Sequence, residues 1–452
     1  MKSVNPTTGA VLEELLEHAP AEVHRRVARA TQAFGAWRRT SFADRASLLG
    51  AVAALLRERR DALARLMTLE MGKPIAQSEA EVEKCALACD YFAAHAEHDL
   101  AIENVASDAS RSFVRYDPLG PILAVMPWNF PLWQVVRAAA PALMAGNVLL
   151  LKHASNVPGC AAALERVWTD AGSPEGVFQN LRLSAAAAEE LVDHPGVQAV
   201  TLTGSEAAGM ALGARAGRAL KKTVLELGGS DAFLVLSDAD PMEAATQAAA
   251  ARIVNNGQSC IAAKRFIVEQ PLAERFEWLL GQRMARLRVG DPLERATELG
   301  PLARADLVDA LDLQVRDSIR AGARLVTGGS RPSRPGSYYA PTVLADVRPG
   351  MRAFDEETFG PLAAIVVAHD TDHAIALANQ SRYGLGASVW TSDPARGEAL
   401  AHELEAGSVF INGIVKSDPR LPFGGVKRSG YGRELGLWGI REFVNVKTVW
   451  IQ

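Results

Sequence analysis

The sequence predicts an α/β fold built on two mainly parallel sheets, and three observations lead to this prediction. Between Ile122 and Leu227, short apolar runs alternate with segments whose apolar residues recur three and four positions apart. A second series of apolar runs extends from Ala232 to Ile411. These runs lack polar alternation, which is typical of parallel strands covered by helices on both faces. The 452 residues are enough for two or three domains.

The N-terminal part is predicted to be helical after a short turn. Asn5–Gly9 is typical of a turn between two short strands. Helical spacing of apolar residues extends from Pro20 to His98 and is interrupted at Gly72–Pro74, because proline breaks a helix. Cys85 and Cys89 lie four positions apart on one of these helices. No further ligands accompany them at zinc spacing, so core packing is favoured over a metal pair.

Strands and helices then alternate regularly. Ser112–Tyr116 is predicted as a short strand before this alternation. Strands of the first unit are predicted at Ile122–Met126, Val148–Leu151, Val177–Leu181, Val197–Leu202 and Thr223–Leu227, with helices at Leu132–Ala145, Gly159–Ala171, Ala185–Val192 and Glu206–Ala216. Strands of the second unit are predicted at Ala232–Leu236, Arg265–Val268, Thr342–Leu344, Ala364–Val367 and Gly407–Ile411. Phe443–Gln452 alternates like an exposed β-arm, which favours pairing with another subunit.

Composition and charge argue against several classes of protein. The formal charge of −4 and the pI of about 6.2 do not indicate binding to nucleic acid or to an anionic membrane surface. Met1–Ala10 lacks the pattern of a secretory signal, and no apolar run reaches the length of a bilayer span. Four cysteines do not make a disulfide framework, so a reducing compartment and a cytoplasmic enzyme are expected.

The segment Asn255–Arg265 contains the residue most suited to covalent chemistry. Cys260 follows Gly-Gln-Ser, whose small bulk would leave its sulfur within reach of a ligand. A cysteine attacks a carbonyl as its thiolate, so a catalytic site must lower the thiol pKa or remove the proton. The alternative is that Cys260 only packs, since cysteine is among the most buried residue types.

Two polar residues follow strands of the first unit, and parallel sheets place ligands at these carboxyl ends. Asn129 lies on a loop stiffened by Pro127 and Pro131, where its amide could donate to a developing oxyanion. An asparagine that only completes a turn is the alternative. Glu226 ends an apolar strand, and burial would raise its pKa toward that of a general base for water. A structural ion pair with Lys221 or Lys222 is its alternative.

Other segments are candidates for holding a nucleotide. Thr203–Gly209 joins a strand to a helix, where backbone N–H groups and the helix dipole can hold a phosphate. Lys152, with Ser155 three residues on, could reach an adenosine ribose or its 2′-phosphate. Glu357 could accept hydrogen bonds from ribose hydroxyls, and Phe359 could flank a ring. A charged helix-to-loop boundary explains the last two equally well.

Taken together, these segments resemble the aldehyde dehydrogenase superfamily, from Asn5-Pro6 to the C-terminal arm. The motifs that carry the resemblance are Pro-Trp-Asn-Phe-Pro at 127–131, Thr-Gly-Ser at 203–205, Glu-Leu-Gly-Gly at 226–229, Gly-Gln-Ser-Cys at 257–260, Glu-Glu-Thr-Phe-Gly-Pro at 356–361 and Pro-Phe-Gly-Gly at 422–425. The resemblance implies that Cys260 is the nucleophile, that Glu226 is the general base, and that Asn129 and the Cys260 N–H form the oxyanion hole. The cofactor contacts that it implies are Trp128, Lys152, Ser155, Gly204, Ser205, Glu357 and Phe359.

The same resemblance implies a three-part organisation. A Rossmann-like parallel-sheet cofactor domain would comprise residues 1–107 and 120–228. An α/β catalytic domain would comprise 229–424, and a small β-arm oligomerisation element would comprise 108–119 and 425–452. A homodimer or homotetramer is expected, with no metal, nucleic acid or membrane partner.

Three segments look most similar to compact bacterial succinate-semialdehyde dehydrogenases: 151–158, 226–231 and 260–265. A carboxylated aldehyde requires a cation, and Arg137 matches the arginine that such enzymes use. A structural arginine of the helix is the alternative. Ser417 matches a pocket serine, and Trp133 and Phe423 are the remaining predicted substrate contacts. Two positions depart from longer members, which have an arginine where this chain has Val254 and can have a second cysteine where it has Ala262.

The resemblance also bears on the choice of cofactor and on the alternatives. NAD-preferring relatives often carry a glutamate where this chain has Ser155, and a carboxylate there would repel a 2′-phosphate. NADP is therefore expected to be accepted and preferred, with NAD as the second cofactor. The alternatives to succinate semialdehyde oxidation are oxidation of another small or ω-carboxylated aldehyde such as glutarate semialdehyde, a thiol hydrolase or esterase activity, and a non-catalytic binding protein on the same fold.

Overall fold

The computed structural model describes residues 1–452. The α-helices, α1 to α15 in chain order, are Pro20–Trp37, Phe42–Glu58, Arg60–Met71, Ile75–Asp99, Trp133–Met144, Pro158–Asp170, Ala185–Leu191, Glu206–Arg218, Pro241–Ile253, Gln270–Ala285, Ala305–Arg320, Arg352–Asp355, Thr371–Asn379, Pro394–Ala401 and Gly436–Ile440. The strands, β1 to β20, are Lys2–Val4, Val11–Glu14, Glu103–Asn104, Arg111–Pro118, Pro121–Met126, Val148–His153, Phe178–Asn180, Ala199–Thr203, Lys222–Glu226, Ala232–Val235, Arg265–Glu269, Arg324–Thr327, Thr342–Ala345, Leu362–Ala368, Tyr383–Gly384, Gly386–Trp390, Ser408–Ile411, Val426–Lys427, Gly430–Tyr431 and Val444–Ile451.

The first large sheet confirms the predicted α/β alternation. Its order is β19-β9-β8-β5-β6-β7, and all neighbours are parallel except β19, which pairs antiparallel with β9. Side chains of β5, β6 and β8 are almost wholly buried, as expected for strands covered on both faces. Together with the N-terminal helices, they form one core of 68 buried residues. All five predicted strands of this unit are present.

The second large sheet has two strands that the sequence analysis did not predict. Its order is β12-β13-β14-β11-β10-β16-β17, with only β12 antiparallel. The unpredicted strands are β12 and β16, and β16 lies inside the sheet between β10 and β17. Two separate cores cover its faces, since Leu234 and Ile267 belong to one while Phe233 and Phe266 belong to the other.

The C-terminal arm forms a third, antiparallel sheet of order β20-β4-β3. All eight residues of β20 pair with β4, which brings the chain end onto the segment before the first large sheet. Strand β3 lies within residues 1–107 but also joins this sheet. The division into domains at 107, 119, 228 and 424 stays a prediction. None of the helices combines the length and the apolar character that a membrane crossing needs.

The two large sheets meet around the segment Gln258–Lys264. Glu226 is the last residue of β9, and the Gly228–Gly229 pair leads from it to β10. The N–H of Lys264 donates to the carbonyl of Asp231 at 3.0 Å, just before β11 begins. A Cβ atom on Gly229 would lie 2.7 Å from the Cys260 carbonyl oxygen, so only glycine allows this approach. The carboxyl end of the first sheet therefore lies against the segment Asn255–Lys264, which we call the cysteine loop.

Candidate active site

The cysteine loop begins with a strained turn that side chains hold in place. Asn255 and Asn256 both have positive φ, at 53° and 58°, a conformation that asparagine adopts more readily than most residues. The Asn256 amide donates to the Gly72 carbonyl at 2.8 Å and to the Pro301 carbonyl at 3.0 Å. Such strain persists only when surrounding contacts over-determine it, and it is common at functional sites. The loop is thus held between the N-terminal helices and the second unit.

Lys264, at the end of the cysteine loop, donates hydrogen bonds to the backbone carbonyls of that loop. Its side chain is fully buried, and Nζ donates to the carbonyls of Ser259, Cys260 and Ala262 at 3.0, 2.8 and 3.0 Å. Nζ also lies 3.8 Å from Oε1 of Glu357. One ammonium therefore satisfies three carbonyls that cannot pair within a helix or sheet. The position of the Cys260 backbone depends on this lysine.

Asn129, the predicted oxyanion donor, is buried next to the backbone of Gln258. Its amide Nδ2 donates one hydrogen to the Gln258 carbonyl at 3.1 Å, which leaves the second hydrogen free. Asn255 fixes the same corner, because its Nδ2 donates to the Asn129 carbonyl at 2.6 Å and to the Gln258 carbonyl at 3.1 Å. The backbone N–H of Cys260 makes no hydrogen bond within the chain. One N–H of Asn129 and the backbone N–H of Cys260 are therefore free to donate.

Glu226 is a buried carboxyl without a hydrogen-bond partner. Neither of its oxygens is bonded, and burial raises its pKa well above the ordinary value, although Arg137 opposes the shift. The predicted alternative partners are engaged elsewhere: Lys221 donates to the Val192 and His194 carbonyls, and Lys222 pairs with Glu442. The alternative of a structural ion pair with Lys221 or Lys222 is therefore wrong. The Glu226 carboxyl remains available for proton transfer.

The Cys260 thiol is protonated in the protein alone. Burial raises its pKa to about 12, while Arg137 and Lys264 lower it less than burial raises it. Cys260 is partly exposed, in contrast to Cys85, Cys89 and Cys160, which are all buried. Only Cys260 has both a nearby cation and an open side.

Cys260 lines a cavity of about 210 Å³. This substrate cavity contains all four predicted substrate residues, Trp133, Arg137, Ser417 and Phe423. None of the lining side chains is acidic. The other lining residues are Lys84, Phe130, Gln134, Val254, Ser259, Ile261, Ile414, Val415 and Lys416. Its volume is small for a ligand pocket and matches a short substrate.

Arg137 lines the substrate cavity, but its charge is already matched. Its guanidinium forms an ion pair with Glu434 and donates to Thr203 Oγ1 at 3.3 Å. The guanidinium carbon also lies 4.7 Å from the centre of the Phe423 ring. Arg137 and Glu434 are both almost wholly buried, so neither charged group is solvated by water.

Lys84 is one of three cations that line the cavity, together with Arg137 and the exposed Lys416. Its Nζ donates to Ser417 Oγ at 2.7 Å and lies 4.3 Å from the Trp133 ring centre, and it forms no ion pair. Burial lowers its pKa to about 8. One turn earlier on α4, Glu81 accepts the N–H groups of Leu132 and Trp133, both at 2.9 Å. This contact holds the start of α5 against the helix that carries Lys84.

Residues predicted to contact the adenosine end lie at the carboxyl end of β6. Lys152 is largely buried with no hydrogen bond or ion pair, and burial lowers its pKa. Ser155 is exposed two residues after the strand. His153 orders this corner, since its Nδ1 accepts from the Ala154 N–H and its Nε2–H donates to the Pro131 carbonyl. An amine without a partner is available for a ribose hydroxyl or phosphate.

The N-terminus of α8 has the form of a phosphate site. Gly204 and Ser205 precede the helix, and Ser205 caps it by accepting from the Ala208 N–H at 3.3 Å. The N–H groups of Glu206 and Ala207 have no acceptor. Free amides and the helix dipole together suit a pyrophosphate.

Glu357, Phe359 and Trp128 border the cysteine loop on the side of the first sheet. The Gly229 N–H donates to Glu357 Oε1 at 3.0 Å, and a Cβ on Gly228 would lie 2.4 Å from Oε2. The rings of Phe359 and Trp128 meet edge to face, with centroids 5.7 Å apart. The predicted cofactor residues thus extend from β6 past α8 to the cysteine loop.

The sequence analysis gave no role to Lys84, Lys264 or Glu434. Lys84 could have been noticed as a lysine within the buried stretch that contains Val82 and Cys85. Lys264 was a charged residue immediately before an apolar strand. No local signal marks Glu434, because its partner Arg137 lies in a distant part of the chain.

Comparisons with known proteins identify the family of the chain. Residues 1–449 match the model of the Aldehyde dehydrogenase family. A protein of Synechocystis sp. named "Probable succinate-semialdehyde dehydrogenase", with NADP(+) as its stated cofactor, is 53% identical over 449 residues, which is 99% of each chain. The Mycobacterium tuberculosis "Succinate-semialdehyde dehydrogenase 1", also with NADP(+), is 50% identical over 452 residues, again 99% of each chain.

One solved structure has nearly the same backbone fold as this chain. The crystal structure of succinic semialdehyde dehydrogenase from Streptococcus pyogenes in complex with NADP+ has a TM-score of 0.98 at 36% identity, covering 100% of this chain and 99% of that one. The backbone fold is therefore shared over the full length. The chain belongs to the aldehyde dehydrogenase family.

Proposed function

We propose that the protein oxidises succinate semialdehyde to succinate with NADP+ as the preferred oxidant. The observation that carries the proposal is the substrate cavity, in which a partly exposed Cys260 faces a short pocket with three cations and no acid. A small aldehyde that carries a carboxylate matches both its volume and its charge. The similarity to relatives named for this reaction supports the same substrate.

Cys260, Asn129 and Glu226 divide the reaction into two steps. The Cys260 thiol gives its proton to a water molecule, the sulfur bonds to the aldehyde carbon, and the carbonyl oxygen becomes an oxyanion that the free N–H groups of Asn129 and Cys260 bind. Bound NADP+ would accept the hydrogen and its electron pair from this carbon, leaving a thioester. The Glu226 carboxylate then takes a proton from a water molecule, and the oxygen of that water bonds to the carbonyl carbon of the thioester. The carbon–sulfur bond breaks, and the acid leaves.

The residues near β6 and α8 fit a dinucleotide with a 2′-phosphate. Lys152 is a buried amine without a partner, and the free amides at the start of α8 suit the pyrophosphate. Ser155 offers a hydroxyl and no negative charge. The only acid that acts on Lys152 is Glu17, which is exposed. At Ser155 a 2′-phosphate would meet a hydroxyl instead of a carboxylate, which favours NADP+ over NAD+.

A panel of aldehydes and cofactors tests the proposal. Reduced nicotinamide absorbance would be followed with succinate semialdehyde, glutarate semialdehyde, butanal and the methyl ester of succinate semialdehyde. We expect kcat/KM to be highest for succinate semialdehyde with NADP+, and NAD+ to be at least about tenfold worse. Cys260→Ser should abolish turnover, whereas Cys89→Ala, which changes a buried thiol in α4, should keep it. A higher kcat/KM for butanal, or a strong preference for NAD+, would contradict the proposal.

We also propose that the β-arm joins subunits into a homodimer or homotetramer. β20 is the outer strand of its sheet, and Val446, Trp450 and Ile451 are half exposed on it. An unpaired edge of this kind favours strand addition by a second copy. Sedimentation equilibrium of the full chain measures the mass directly, and a monomer at micromolar concentration would contradict this part.

A further inference from the structure

Arg382 faces the start of α8 from the second unit, and few of its donors are engaged. It directly precedes β15, and its Nη2 donates to Tyr383 Oη at 3.1 Å. Its Nε lies 3.5 Å from Oε2 of Glu206, the first residue of α8, without forming a hydrogen bond. The side chain is about half exposed. A guanidinium has five N–H donors, so four remain unused.

The Arg382 guanidinium lies between two groups that are expected to contact the cofactor. On one side is the start of α8, where the backbone N–H of Glu206 has no acceptor. On the other side is Glu357: burial raises the pKa of this carboxyl, and nearby cations, among them Lys264 and Arg382, lower it. One guanidinium is therefore near both the helix end that suits a pyrophosphate and the carboxylate that suits a ribose.

Glu206 brings a negative charge to the start of α8, and a second arginine neutralises it. Arg428 forms an ion pair with Glu206 Oε1 through its Nη1. An unneutralised carboxylate at this position would repel a diphosphate. Because Arg428 already balances Glu206, the Arg382 guanidinium can leave Glu206 without exposing an unpaired charge.

The backbone of Arg382 is fixed, although its side chain is not. The Arg428 N–H donates to the Arg382 carbonyl at 2.9 Å. The hydroxyl of Ser429 accepts from the Gly384 N–H at 3.0 Å and donates to the Gly228 carbonyl at 2.7 Å. These contacts join the segment around Arg382 to the end of the first sheet. A guanidinium on such a fixed backbone can bind a ligand at a small cost in ordering.

We infer that Arg382 binds the diphosphate of the dinucleotide and exchanges its contact with Glu206 for phosphate oxygens when the cofactor enters. The planar guanidinium matches two oxygens of a phosphate. NADP+ and NAD+ share the diphosphate, so Arg382 should strengthen the binding of both without choosing between them. This inference rests on the proposed function, because it assumes a dinucleotide that extends from β6 past α8 to Glu357.

Fluorescence titration of NADPH and NADH into the protein, without aldehyde, tests the inference independently of turnover. Arg382→Met removes the charge and the donors, and we expect the Kd of both nucleotides to rise by the same factor, about 10- to 100-fold. Arg324→Met is the matched control, because Arg324 is also a half-exposed, ion-paired arginine of the second unit, and it should change either Kd less than about twofold. No loss, or a loss confined to NADPH, would overturn the inference.

A cofactor fragment separates the diphosphate from the nicotinamide ribose. Adenosine 2′-phosphate 5′-diphosphate contains the first group and lacks the second, and calorimetric titration measures its Kd. Arg382→Met should raise this Kd by about the same factor as the Kd of NADPH. An unchanged Kd for the fragment would assign Arg382 to the ribose and overturn the inference.

Glu206→Gln should have the opposite effect, which a folding defect cannot produce. Loss of the carboxylate removes both its attraction for Arg382 and its repulsion of the diphosphate. NADPH and NADH should therefore bind about two- to fivefold more tightly to this variant. Unchanged or weaker binding would overturn the exchange of partners that the inference requires.

Turnover by the wild type distinguishes failure of the inference from failure of the proposed function. If the wild type does not form NADPH from NADP+ and succinate semialdehyde, the proposed function fails. If it does so, but Arg382→Met binds both reduced nucleotides as tightly as the wild type, only the assignment of Arg382 fails.

Discussion

Replacing Lys264 by methionine should loosen the cysteine loop and reduce turnover together. Methionine has a similar length but cannot donate a hydrogen bond. The carbonyls of Ser259, Cys260 and Ala262 would therefore lose the hydrogen bonds that they now accept from Lys264 Nζ at 3.0, 2.8 and 3.0 Å. The nearby Glu357 carboxylate would also lose its cation at 3.8 Å.

The cost can be worked from these contacts. A hydrogen bond from a charged donor contributes about 1.5–3 kcal/mol, so three of them set an upper limit of about 5–9 kcal/mol. Burial of the ammonium opposes this gain, as the lowered pKa of Lys264 indicates. We therefore expect a loss of about 3–5 kcal/mol in the free energy of unfolding. A small displacement of the sulfur should lower kcat by about 100-fold.

Urea unfolding and the rate of NADPH formation measure the two effects. Lys152→Met is the matched control, because Lys152 is also a largely buried lysine near one end of a strand but makes no hydrogen bond. The control should change the stability by less than about 1 kcal/mol and raise KM for NADP+. If Lys264→Met unfolds at the wild-type urea concentration and keeps its kcat, the loop is not held by this lysine.

Three further predictions follow from the geometry of the site. Because the Cys260 thiol has a pKa of about 12 in the protein alone, its alkylation by iodoacetamide should accelerate steadily between about pH 7 and about pH 10, and a plateau below about pH 8 would be inconsistent with this. Asn129→Ala should lower kcat by about 100- to 1000-fold with an intact fold, measured by NADPH formation and circular dichroism, and a loss below about fivefold would count against its role as oxyanion donor. Glu81→Gln leaves Lys73 buried without its charge partner, so urea unfolding should show a loss of about 3–5 kcal/mol, whereas a change under about 1 kcal/mol would show that the pair is not a major support.

The parts of the fold that the sequence predicts are those with a local signal. The strands from Ile122 to Leu227 were recognisable because each is a short apolar run next to an amphipathic helix. β16 was missed, since it begins with the last glycine of Tyr-Gly-Leu-Gly at 383–386, and glycines at the start of a strand resemble a turn. β12 was missed because it is a partly exposed edge strand.

The site was predictable where one motif supplies one role and not where distant residues combine. Cys260, Asn129 and Glu226 lie in short motifs, so each could be assigned a chemistry on its own. The contact between Lys84 and Ser417 joins positions 333 residues apart, and no periodicity reports such a pair. Glu434 was missed for the same reason, and with it the neutralisation of Arg137. Charge matching inside a cavity emerges only from the tertiary fold.

The central claim is that Cys260 forms the acyl intermediate which Glu226 hydrolyses. Glu226→Gln should permit the first step and block the second, since glutamine fits the same buried position but accepts no proton. Mixing this variant with succinate semialdehyde and NADP+ should give one burst of NADPH per active site, and mass spectrometry of the digested protein should find one succinyl group on the peptide that contains Cys260. Sustained turnover without a burst, or a succinyl group on another residue, would contradict the account.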